Sequence, residues 1–153
     1  MEPRAKTIIE RHGFVDLDRR RAKHDEVQIW VYKNFARVVR EVFPLLQFDD
    51  SKLDIKLEFP VTDHGYYRNF IVGFADLYCQ QLSIGIEVKT ELPVIGDLIR
   101  QIQFYRKYLP GTWIIVSPDD RHAGILREQD IWFYKYEDTD VQLSLFELRV
   151  SKN

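Results

Sequence analysis

Three charged residues stand in segments that are otherwise apolar: Asp76 in Gly73-Phe74-Ala75-Asp76-Leu77-Tyr78, and Glu87 and Lys89 in Ile84-Gly85-Ile86-Glu87-Val88-Lys89. Two carboxylates from adjacent strands can hold a hard divalent cation through oxygen, leaving coordination positions for water and a phosphate oxygen. Such a cation polarises the phosphate and lowers the pKa of a bound water. A lysine two residues beyond the second acid is placed to stabilise the charge that develops in the transition state. The chemistry these residue types suit is metal-assisted hydrolysis of a phosphodiester.

The elements that must position them are legible from period. Strand side chains alternate, so Glu87 and Lys89 share one face while Leu82, Ile84, Ile86 and Val88 pack on the other. Ser83 and Gly85 are expected to leave a shallow space before Glu87. Alternation of Leu53, Ile55, Leu57 and Phe59 predicts a half-buried strand over 53–59, followed by strands over 67–78 and 82–89. Short polar connections make these three antiparallel neighbours. Upstream, Val27, Trp30, Val31, Phe35, Val38, Val39 and Val42 recur at steps of three and four, which predicts a helix over 25–43 ended by Pro44. A short helix is expected over 7–11, stopped by Gly13.

Downstream, Pro93 and Gly96-Asp97 open a helix running to 109, with Leu98, Ile99, Ile102 and Tyr105 as its buried stripe. A strand over 112–116 follows Pro110-Gly111. Strand, helix, strand in that succession implies a right-handed crossover and a parallel neighbour. Ser117-Pro118-Asp119-Asp120 reads as a cap, a first-turn proline and two first-turn acids of a short helix to 127. Segments 131–136 and 142–150 read as late strands. The sum is an α/β domain with a mixed sheet and helices on both faces.

Composition narrows the function classes. A chain of 153 residues, 45% hydrophobic and 30% charged, suits one folded domain. Its apolar stretches fall far short of a membrane span, and the polar N-terminus lacks an apolar signal core. The single cysteine, Cys79, cannot form an intramolecular disulfide, so a cytoplasmic, reducing setting is expected. A net charge of −2 advertises no nucleic acid globally, although Arg19, Arg20, Arg21, Lys23 and His24 cluster, as do Arg100, Arg106 and Lys107. The chain lacks a Gly-rich phosphate loop, a nucleophile elbow and any Cys/His zinc spacing.

Asp76, a gap of ten residues and then Glu87-Val88-Lys89 resembles the signature of the PD-(D/E)XK nucleases. Gln101-Ile102-Gln103-Phe104-Tyr105 is similar to the QxxxY element of the branch that contains the RecB nuclease domain. The resemblance spans about a third of the chain. It implies a restriction-endonuclease-like mixed sheet flanked by helices, Mg2+ or Mn2+ bound by Asp76 and Glu87, and catalysis by Asp76, Glu87, Lys89 and Gln101. It implies a further metal-site acid on the N-terminal helix, for which Glu26 is the candidate and Asp25 nearly as good. His24 is the position that could supply the histidine preceding the acids in that branch. Alanine replaces the usual proline before Asp76.

The activity implied is a DNA endonuclease of the homing, restriction, junction-resolving or repair type, acting as a homo-oligomer, with Arg100, Tyr105 and Lys107 on the DNA. The rival is a catalytically inactive domain of the same fold that binds DNA or serves in assembly.

Overall fold

Apolar residues at helical spacing carry two helices, α1 (Phe14–Lys33) and α2 (Phe35–Val42), in the computed structural model, which describes residues 14–65 and 68–151. The helix expected over 7–11 lies outside these residues. The helix expected over 25–43 is two: Asn34, at φ −114° and ψ 22°, breaks the ladder, and its side-chain amide donates to Trp30 O at 2.8 Å. The bend lets both pieces lay Val27, Trp30, Val31, Phe35, Val38 and Val39 on one core.

Five strands form one sheet in the order β1-β2-β3-β4-β5: β1 (Ile55–His64), β2 (Asn69–Cys79), β3 (Ile84–Val88), β4 (Thr112–Ser117) and β5 (Ile131–Lys135). The first three pair antiparallel, and β3–β4 and β4–β5 pair parallel. The parallel steps are bridged by α3 (Ile95–Tyr108) and α4 (Ala123–Glu128). The α/β class and the mixed sheet flanked by helices are those expected from the sequence.

Two cores result. On one face α1 and α2 cover Leu77, Ile86, Val88, Ile114 and Val116. On the other, Leu98, Ile102 and Tyr105 of α3 and Leu126 of α4 cover Tyr78, Trp113, Ile115 and Ile131. No described helix is long and apolar enough to cross a membrane.

Three expectations need correction. Segment 142–150 belongs to a helix, α5 (Asp138–Ser151), not a strand. Val141 is 1% exposed and Leu143 60%, whereas residues two apart in a strand share a face. Asp138 and Asp140 occupy the first turn, where the helix's positive end favours acids.

The helix expected from Ser117 starts only at Ala123, because Ser117 still pairs with Lys135 in the ladder. Asp119 closes the intervening turn instead, accepting from the Arg121 N–H at 3.1 Å.

The third correction bears on the site. The space expected at Gly85 is filled by the Trp113 indole: a Cβ added at Gly85 would stand 2.7 Å from the ring. Both residues are buried, so the ring cannot swing into solvent. Gly85→Ala is expected to cost about 1–3 kcal/mol through overpacking, lowering the melting midpoint by about 3–10 °C in a thermal denaturation experiment. An unchanged midpoint would mean that the core yields at this point.

β1 is irregular. Glu58 has φ 49°, and Pro60 pairs with Phe74 within the ladder. Ile55 packs against the core under α1 and α2, whereas Phe59 and Val61 join the core under α3. The kink at Glu58 thus lies where the hairpin changes cores, alongside Asp76.

Candidate active site

The last ladder pairs of β2 and β3 are Tyr78 with Gly85 and Leu77 with Ile86, so the next step sets Asp76 across from Glu87. There side chains replace the ladder. The Asp76 N–H donates to Glu87 Oε1 at 3.2 Å, and the Val88 N–H donates to Asp76 Oδ2 at 2.8 Å. Each carboxylate is therefore fixed by the other's strand. Asp76 is 8% exposed and Glu87 3%, so two acids share a nearly dry site.

Burial, and then the charge of Asp76, push the Glu87 carboxyl up, with Lys89 and His24 only partly offsetting them. Lys89 lies one residue beyond β3. Its N–H donates to Val116 O at 2.9 Å, which prolongs the β3–β4 pairing and fixes where the side chain leaves the sheet. Asp76, Glu87 and Lys89 line one open cleft of about 500 Å3.

Two helices complete the cleft. From α1, the His24 Nε2 lies 3.1 Å from Asp76 Oδ2, and its Nδ1 lies 3.6 Å from Asp25 Oδ1. The hydrogen bond to Asp76 is the largest influence raising the His24 pKa above the usual histidine value; burial opposes it. One turn on, the Gln28 amide donates to Glu58 Oε1 and to Asp76 O, each at 2.9 Å, clamping β2 where β1 kinks. From α3, Gln101 Nε2 lies 3.5 Å from Glu87 Oε2 and donates to Tyr105 Oη at 3.3 Å. Tyr105 in turn donates to Phe74 O at 3.3 Å.

Asp76, Glu87, Lys89 and Gln101 therefore meet as expected. Glu26 does not join them. Arg21, His24 and Asp25 line the cleft, and two residues on from His24 a helix has turned by about 200°. Asp25, the alternative, is the acid that α1 turns toward the cleft.

Tyr105 is only 8% exposed and packs on Trp113 at 5.4 Å, so it braces β2 and offers little surface to DNA. Arg100 pairs with Asp97 and lies outside the cleft lining, as does the exposed Lys107. Arg106 is tied to the carbonyls of Gln129 and Asp130 after α4.

Sequence reasoning missed Gln28, Arg21 and Phe74. Gln28, a polar residue one turn after His24 and flanked by Val27 and Trp30, carried a signal. Arg21 precedes His24 by one turn, and its place in the basic cluster of residues 19–24 masks that spacing.

Comparison of the chain with protein-family models, with curated proteins and with solved structures finds no match. Two hard carboxylate donors fit a cation that keeps several waters and shares its shell with a substrate, as magnesium does, while the His24 imidazole is engaged with Asp76 Oδ2. Among the described residues, no group of three or more His, Cys, Asp or Glu is arranged to hold an ion unaided.

Proposed function

We propose that the chain is a metal-dependent DNA endonuclease that hydrolyses phosphodiester bonds without a protein nucleophile. The observation that supports this most strongly is the buried Asp76–Glu87 pair on adjacent strands, with Lys89 in the same cleft. Burying two acids together is costly unless positive charge is supplied, and a divalent cation is the compact way to supply it.

Asp76 and Glu87 would hold Mg2+ or Mn2+, which when bound activates a water and polarises the phosphate. The protein's own groups do the rest. The Val88 N–H and His24 orient the Asp76 carboxylate, and the Asp76 N–H orients that of Glu87. Lys89 meets the charge that grows on the phosphate oxygens. Arg21, exposed in the cleft lining, adds a contact that draws the phosphate backbone in.

Homing, restriction, junction resolution and repair all fit this chemistry, in a cytoplasmic setting. A second copy of so small a domain would lengthen the DNA footprint.

Incubation with linear, circular, branched and single-stranded DNA in magnesium and in manganese tests the reading. Cleavage that requires the metal is expected. DNA binding with no cleavage of any form would make the chain a binding or assembly subunit.

Gln101 gives a finer check. It touches Glu87 through one amide and reaches Phe74 only through Tyr105, so Gln101→Ala should misplace the acid without removing a DNA contact. Single-turnover cleavage is expected to fall about 10- to 100-fold, with filter-binding affinity unchanged within twofold. Full activity in this variant would make Gln101 a packing residue.

A further inference from the structure

Among the described residues, Phe74 is the one Phe, Tyr or Trp side chain in the cleft lining, and it is 49% exposed. Other rings near it are engaged: Phe59 stacks on Tyr78 at 4.9 Å, and Tyr105 packs on Trp113 at 5.4 Å. Phe74 stacks on no ring among the described residues. It stands two residues before Asp76 in β2, about 6.6 Å along the strand. Its carbonyl is held by Tyr105, which is bonded to Gln101 and through it to Glu87. The ring is thus exposed on a backbone that the site itself fixes.

A second constraint comes from size and charge. The cleft, about 500 Å3, has room for one nucleotide, and it carries Arg21 and Lys89 as cations for a phosphate. A base within a duplex has both faces covered by its neighbours, whereas an unpaired base has a face free for an aromatic ring.

We infer that the substrate strand is unpaired at the scissile phosphate, and that Phe74 is the platform on which the adjacent base stacks. This rests on the nuclease reading above and names its substrate class.

The probe is an oligonucleotide carrying 2-aminopurine, whose fluorescence falls on stacking, offered single-stranded and as a blunt duplex in calcium. Wild type should bind the single strand at least tenfold more tightly than the duplex and quench the probe. Phe74→Leu, which keeps an apolar side chain on this half-exposed site, should weaken single-strand binding about 5- to 150-fold and abolish quenching. Phe74→Trp should restore both, which separates stacking from folding.

Equal binding of duplex and single strand, or a Phe74→Leu protein that binds and quenches like wild type, overturns the platform. If magnesium-dependent cleavage is still lost in Glu87→Gln in that event, the nuclease reading stands without it. Phe74-dependent quenching with no cleavage in magnesium or manganese overturns the nuclease reading and the substrate role assigned here.

Discussion

Glu87→Gln is expected to reduce cleavage by at least about 10³-fold while leaving the fold intact and, at alkaline pH, making the metal-free protein more stable. Glutamine keeps the volume and can still accept from the Asp76 N–H, now 3.2 Å from Glu87 Oε1, but it brings no negative charge to a cation. The stability effect has the opposite sign for a physical reason. Burial raises the Glu87 pKa from 4.5 to about 8, so the folded chain holds this proton more tightly than the unfolded one. The stability linked to that proton is fully present below the ordinary glutamate pKa. It is lost as pH rises through the interval to about 8. Glutamine does not titrate, so thermal melts in EDTA should show the variant gaining on wild type from pH 5 to pH 8.5. Undiminished cleavage would remove Glu87 from the chemistry. A melting difference that stayed constant with pH would mean that the carboxyl is not held protonated.

Lys89→Ala should lower single-turnover cleavage at saturating DNA by about 10²- to 10³-fold. The backbone of Lys89 is fixed by Val116 O, so truncation removes the ammonium without releasing β3. Lys89→Arg should recover only part of the loss, because a planar guanidinium does not put its charge where a compact ammonium does. The loss should persist at saturation, since the charge is needed by the transition state rather than by the bound substrate. Activity within threefold of wild type would show that the cleft works without this cation.

The acids and the lysine were legible because strand alternation is local: an acid flanked by Ile86 and Val88 announces itself within five residues. The crossover helix was legible for the same reason, from Pro93 to the Pro110-Gly111 stop. What the sequence hid depended on contacts far along the chain. His24 and Gln28 reach Asp76 across 52 and 48 residues, and nothing near them fixes which strand α1 will cover. The angular position of Glu26 against Asp25 followed from that same packing. Gly85 looked like an opening because the indole that fills it comes from Trp113, on the parallel neighbour. Segment 142–150 misled because Leu143 can be matched to either period until its exposure is known.

Among the described residues the sheet terminates on one side at β1, a ten-residue strand with no neighbour beyond it. Open strands of that length invite edge-to-edge growth between molecules. Here the invitation is withdrawn three times: Pro60 has no N–H to offer, the positive φ of Glu58 throws the ladder out of line, and the polar side chains of Lys56 and Glu58 stand exposed along it. A foreign strand laid along β1 meets an interrupted template. The hairpin that carries Asp76 can therefore remain long and unpaired at its rim without seeding fibres.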